Sequence, residues 1–178
     1  MGAIQVVYRK LLIAVAAISA AALPAEAAPI SATQDADGRA LILVPLTLTK
    51  IEDLDFGAVV PSALPGTVTI NAATGARTIT GGVTGIPSQV GQRAYFAGAG
   101  SANQLVLVAV DPPAELTSTT NPADKVTVLA MPVQGSPLKT VDTVTRAFFF
   151  GVGGIILVGA NQPEGIYEAT FDVIASYQ

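Results

Sequence analysis

The last fourteen residues, Gly165 to Gln178, alternate with a period of two. Tyr167, Ala169, Phe171, Val173, Ala175 and Tyr177 fall on one side, and Glu168, Thr170, Asp172, Ser176 and Gln178 on the other, with Ile174 out of place. A helix would need apolar positions three and four apart, so this is the pattern of a half-buried β-strand. The turn formers Asn161, Gln162, Pro163 and Gly165 bound it upstream, which predicts a strand from near Gly165 to Gln178. A strand patterned in this way must pair with something, because an exposed apolar edge is an aggregation hazard.

The rest of the chain reads as more strands between turn clusters. Ala40 to Thr49 opens as a continuous apolar run and turns to alternation after Pro45, which is expected to separate two strand segments or to mark a switch between sheets, because proline cannot donate to a ladder. Thr67–Ile70 and Arg77–Thr80 flank Asn71-Ala72-Ala73-Thr74-Gly75, a hairpin loop with glycine at the position that needs positive φ. Arg93–Ala97, Gln104–Val110 and Lys125–Pro132 follow. Arg146–Val158 is the most apolar segment, and Gly151, Gly153 and Gly154 inside it predict a bulge or a sheet corner. The expectation is an all-β, immunoglobulin-like Greek-key sandwich of about eight to ten strands. A membrane barrel is the rival, but these strands are shorter than the roughly nine to eleven residues a bilayer requires.

At the other end, Arg9 and Lys10 precede an apolar run from Leu11 to Leu23, and Pro24-Ala25-Glu26-Ala27 places small residues around a cut after Ala27. Residues 1–27 read as a secretory signal peptide, and the apolar run is too short and too alanine-rich to span a membrane. Residues 28–44 then form an arm and 45–178 the sandwich. The mature chain of about 150 residues is long enough for one packed core.

No histidine and no cysteine occur in the chain. Metal ligation by those residues, serine–histidine pairing, thiol catalysis and disulfide stapling are therefore all excluded. Asp35-Ala36-Asp37-Gly38 resembles the start of a calcium loop, yet the glutamate it needs would fall among Leu43 to Leu46. Glu52, Asp53 and Asp55 read as solvated turn residues. The glycine runs at Gly81-Gly82 and Gly151–Gly154 lack the strand–loop–helix order of a phosphate site. Of nine basic and thirteen acidic residues, Arg9, Lys10 and Glu26 lie in the leader, which leaves seven and twelve and a net charge near −5. No basic face exists for nucleic acid. The expectation is a protein that is not an enzyme, binds no cofactor and has no membrane span after leader removal.

Several blocks carry a resemblance. Gly165 is fourteenth and Tyr177 second from the end, similar to the terminal strand signature of chaperone–usher pilins. Leu54-Asp55-Phe56-Gly57 followed by Pro61 resembles the opening of spore-coat-U-type, or archaic, pilin subunits, although the cysteine those usually carry near Leu46 is missing. With Pro45-Leu46-Thr47-Leu48-Thr49-Lys50, Gly66-Thr67-Val68-Thr69, Gly75-Ala76-Arg77-Thr78 and Val158-Gly159-Ala160-Asn161-Gln162, the chain resembles more closely still the secreted proteins grouped as DUF4402. The pilin resemblance implies a sandwich completed by a donated strand. It implies a periplasmic chaperone and an outer-membrane usher as partners, then neighbouring copies in an extracellular fibre.

On that reading Gly165, Tyr167, Phe171, Val173, Ala175 and Tyr177 form the interface for chaperone or neighbour, and Ala40, Ile42 and Val44 are the side chains the arm donates. Leu41 and Leu43 are the competing register, one residue away. The alternative is a self-contained secreted or surface sandwich with an adhesive or ligand-binding role, in which Gly165 only opens a turn and Tyr177 only fills a core. Either way Phe56, Leu105, Leu107, Val126, Val128, Phe148, Phe150, Phe171 and Val173 are expected to be buried.

Overall fold

The computed structural model describes residues 34–178. The expected signal peptide, 1–27, and the first part of the arm, 28–33, lie outside the described residues. Among the described residues there is no helix, and none long and apolar enough to cross a membrane. In chain order the strands are β1 (Thr47–Glu52), β2 (Val59–Val60), β3 (Gly66–Ile70), β4 (Arg77–Gly81), β5 (Thr84–Gly85), β6 (Ala94–Ala99) and β7 (Leu105–Asp111). They continue with β8 (Glu115–Ser118), β9 (Lys125–Ala130), β10 (Leu138–Thr140), β11 (Ala147–Val152), β12 (Gly154–Val158), β13 (Tyr167–Glu168) and β14 (Asp172–Tyr177). This exceeds the expected number because β2 and β5 are two-residue pieces with no periodicity to reveal them, β8 and β10 are short strands not read from the sequence, and the segments 146–158 and 165–178 each divide into two strands.

All pairings are antiparallel and fall into four sheets, ordered β1-β6-β11, β10-β7-β14, β13-β8-β9-β12-β3-β4 and β2-β5. The first two face each other as a sandwich. Ala94 and Phe96 of β6, Phe148, Phe150 and Val152 of β11, and Val106 and Val108 of β7 are buried in one cluster. Within it the rings of Phe96 and Phe150 stack at 5.4 Å, and those of Phe148 and Phe150 at 6.2 Å. Gly98 is what lets Phe148 lie flat, since a Cβ there would come within 2.1 Å of its ring. A second cluster, with Val68, Leu116, Val126, Ile156 and Val158, lies under the six-stranded sheet, and Phe56, Val59 and Val128 pack against it. Each fully buried aliphatic side chain contributes about 1.5–3 kcal/mol.

The chain passes from one core to the other at Gly153. β11 pairs with β6, while β12 pairs with β3 and β9. A Cβ on Gly153 would sit 2.3 Å from the Ile70 carbonyl oxygen, so only glycine allows the crossing. This is the corner that the glycine run predicts. The hairpin also forms as expected: β3 and β4 pair from Gly66↔Gly81 to Ile70↔Arg77, and Gly75 has φ +74°.

Several expectations need correction: the strand segment expected before Pro45 does not form, since residues 34–46 carry no strand, and Phe56 and Val128, expected to be buried, are half-buried. Leu105 is 46% exposed and Leu107 is not in the core, while Val106 and Val108 take the buried positions. Leu105 to Val110 is apolar at every position, so its composition could not distinguish the inner face from the outer. The predicted strand from Gly165 to Gln178 is also interrupted: β13 pairs with β8, and β14 pairs with β7 in another sheet. Ala169 to Phe171 carry the chain between the sheets, and the alternation continues in phase across the break. Phe171 and Val173, expected to be buried, are only half-buried.

Candidate functional site

The half-burial of Phe171 and Val173 marks the candidate site. β1 is the edge of one sandwich sheet and β14 the edge of the other, and among the described residues β14 pairs only with β7 and β1 only with β6. Both edges lie on the same side of the sandwich. Leu46 and Leu48 from the β1 side and Phe171, Val173, Ala175 and Tyr177 from the β14 side pack on the core without being enclosed by it. Toward one end the space between them opens into a cleft lined by Leu48, Lys50, Asp53, Phe96, Ala169, Thr170, Phe171 and Val173. It is an apolar seam, with the Lys50–Asp53 ion pair at its mouth.

The seam has polar backbone to offer as well. The Gln178 amide donates to the Leu105 carbonyl at 3.0 Å, continuing the ladder on β7. In an antiparallel pair successive residues direct their backbone groups to alternate sides. Asp172, Ile174 and Ser176 therefore face β7, and the N–H and C=O groups of Val173, Ala175 and Tyr177 face the seam. A strand laid there would find both a ladder and apolar side chains.

Tyr177 closes the other end. Its hydroxyl donates to the Val44 carbonyl at 2.9 Å and accepts from the Ser101 amide at 2.7 Å, while the Val44 amide donates to Ser101 Oγ at 2.8 Å. Gly100 makes room for it, since a Cβ there would come within 2.4 Å of the hydroxyl oxygen. Residues 34–46 form no strand. Leu41 is 72% exposed, Ile42 91% and Val44 44%, so this stretch leaves large aliphatic side chains in water. Both registers named from the sequence remain open, since Ala40, Ile42 and Val44 and also Leu41 are exposed and Leu43 is half-buried.

The structure thus brings Phe171, Val173, Ala175 and Tyr177 together and places Gly165 and Tyr167 elsewhere. Tyr167 packs on the second core, its hydroxyl donating to the Pro163 carbonyl at 2.7 Å and accepting from Gln162 Nε2 at 3.0 Å. Gly165 has φ +156°, and a Cβ there would lie 3.2 Å from Ser118 Oγ. Tyr167 pairs with Ser118 at the end of β8, Gly165 lies beside that same residue, and neither lines the seam.

Other polar groups have structural employment. Arg77 lines a shallow cleft with Gly75, Ile79, Gly85, Pro87 and Val90, but its guanidinium is spent on backbone. It donates to the carbonyls of Phe56 at 3.3 Å, Ala58 at 3.0 Å, Gln89 at 2.8 Å and Ile86 at 2.9 Å. Asp55 accepts from the Gly57 amide at 2.7 Å. No group of three or more acidic residues able to hold a metal occurs among the described residues. The seam residues Leu46, Leu48 and Phe96 were absent from the interface read from sequence, because only the three-dimensional meeting of β1 with β14 makes them neighbours.

No curated protein and no solved structure matches the chain. A family model does match, over residues 46–177, from just after the Val44 junction to Tyr177. The chain therefore belongs to the family described as a domain of unknown function, DUF4402.

Proposed function

We propose that this protein is a structural subunit of an extracellular fibre, assembled by strand donation between copies. The observation that carries the proposal is the coexistence in one chain of an open apolar seam and an unpaired apolar arm. Among the described residues β1 and β14 are not paired with one another, and Leu41, Ile42 and Val44 leave aliphatic side chains exposed. Enclosing three such side chains would contribute about 1.5–3 kcal/mol each, against which the ordering of the arm and the association entropy must be set. Export would bring the subunit to the periplasm, where a chaperone would cover the seam until an usher passed the subunit to its neighbour. That part of the reading rests on the resemblance to pilins.

Geometry also favours one polarity. The arm leaves the domain at the Tyr177 end of the seam, while Phe171 and Lys50 mark the other end. If two copies met with their Tyr177 ends together, each arm would enter the other's seam and the pair would close as a dimer. An open fibre needs the Tyr177 end of one copy against the Phe171 end of the next. The donated strand then runs antiparallel to β14.

The test is a synthetic peptide of residues 34–44 titrated into the mature protein at concentrations where it is monomeric. Saturable binding that protects the amides of Val173, Ala175 and Tyr177 supports donation. Absence of binding, with those amides already protected, would favour a self-contained sandwich. That second reading draws on one observation, the exposed Phe149, whose ring stacks on Tyr95 at 6.3 Å on the outer face of β11 and β6 and could hold a ligand.

A further inference from the structure

Ile174 is the one residue of the last strand that breaks its alternation, and it stands 57% exposed on the outer face of β14. It belongs to a small aliphatic patch there. Ala109 is registered opposite Ile174, Leu107 opposite Ser176, and Leu138 opposite Leu107, so these side chains share the outer face of the sheet β10-β7-β14. Among the described residues β14 is an edge of that sheet, and its outward positions are Asp172, Ile174 and Ser176. A strand added at this edge would therefore meet a single apolar side chain on the outer face.

The arm alternates too. Asp35, Asp37, Arg39, Leu41 and Leu43 take its odd positions, and Gly38, Ala40, Ile42 and Val44 are among the even ones. β14 turns Val173, Ala175 and Tyr177 to the seam, which gives an incoming strand three inward places. Three consecutive odd positions that include both leucines also include either Arg39, an unpaired charge in an apolar seam, or Pro45, which has no amide to donate. Gly38, Ala40 and Ile42 have neither fault. Val44 is not free to join them, because its amide already donates to Ser101 Oγ of its own domain at 2.8 Å. With the strand antiparallel to β14, Ile42 then lies opposite Val173, Ala40 opposite Ala175 and Gly38 opposite Tyr177. Leu41 falls on the outer face, opposite Ile174, and Arg39 stays in water opposite Ser176.

We infer that Ile174 fixes the register of the donated strand by receiving Leu41 of a second copy on the outer face of the sheet. The inference rests on the strand-donation reading and adds to it which residues meet. It accounts for an apolar residue on the outward side of β14 and for a leucine on the outward side of the arm.

The chain holds no cysteine, so a disulfide trap reports one pair at a time. Because the seam-facing residues of β14 carry the ladder bonds, Ile174 and the residue opposite it form a non-hydrogen-bonded pair. Their Cα atoms are then about 4.5 Å apart, within disulfide reach. Mature chain with Ile174→Cys is saturated in a glutathione redox buffer with 34–44 peptides that carry Arg39→Cys, Ala40→Cys, Leu41→Cys, Ile42→Cys or Leu43→Cys in turn. The Leu41→Cys peptide should cross-link about tenfold faster than any other, since positions 39 and 43 lie diagonally about 7–8 Å away and positions 40 and 42 face the core. Ser176→Cys should move the maximum to Arg39→Cys, and serves also if the Ile174 variant does not fold.

With Ile174→Cys, a maximum at Arg39→Cys or Leu43→Cys would mean a register displaced by two residues. A maximum at Ala40→Cys or Ile42→Cys would mean that the odd positions face the core. Either result would overturn the inference and leave strand donation standing, and equal rates at every position would overturn it as well. Failure of the native-sequence peptide to bind the parent chain would remove the donation reading and this inference with it.

Discussion

Truncating Phe171 and Phe150 to alanine, one at a time, puts a number on the openness of the seam. Phe150 is fully buried between two stacked rings, and its loss should cost about 3–5 kcal/mol, the sum of lost transfer energy and the cavity left behind. Phe171 is half-buried at the cleft, so about half of that transfer energy is at stake and the space left behind is already open to water. Phe171→Ala should therefore cost roughly 1.5–2.5 kcal/mol in the monomer. Urea titration reads both as shifts of the midpoint at unchanged m-value. When the 34–44 peptide covers the seam, the ring becomes enclosed and the full cost applies. The difference, about 1.5–2.5 kcal/mol, should appear as a roughly 10- to 60-fold loss of peptide affinity. If Phe171→Ala costs the monomer as much as Phe150→Ala, the ring is already enclosed and the reasoning fails.

Four further outcomes follow from the contacts. Arg77→Met leaves four backbone carbonyls without their cationic donor and should cost about 3 kcal/mol by the same titration, with faster exchange of the Ala58 and Ile86 amides as its signature. Gly98→Ala drives a methyl into the Phe148 ring and should cost about 1–3 kcal/mol of stability. Gly165→Asn should destabilise the fold without altering peptide affinity, since asparagine tolerates φ near +57° but not +156°, and the loop it would strain packs on β8. Asp142 is held below its ordinary pKa, chiefly by the Thr145 amide, then by the Thr145 hydroxyl and the Val144 amide. A depressed carboxyl stabilises the fold above its unfolded value of about 3.9, and the contribution is lost as pH falls through the lower folded value. The acid limb of a stability profile should be shallower for Asp142→Asn.

The parts of the fold that were legible in the sequence are those where backbone geometry demands a particular residue. The hairpin at Asn71–Gly75 and the crossing at Gly153 each need glycine, and each was visible. The register of β7 was not, because Leu105, Val106, Leu107 and Val108 are equally apolar and the choice of face is made by what β7 packs against. The break between β13 and β14 was hidden for a different reason: Tyr167 and Phe171 stay in phase although they serve different cores. Val173, Ala175 and Tyr177 were named from alternation together with the resemblance to pilins, and in the structure they pack, half-buried, on the first core. The Tyr177 hydroxyl bonds could not be read at all, since their partners lie 133 and 76 positions away.

Amide hydrogen exchange on the monomeric mature chain, residue by residue along β14, tests the central claim most directly. The account predicts that Asp172, Ile174 and Ser176, bonded to β7, exchange slowly, while Val173, Ala175 and Tyr177 exchange rapidly and become slow only when the 34–44 peptide or another copy is bound. Slow exchange at all six positions in the free monomer would show that β14 is already paired on both sides, and would contradict it.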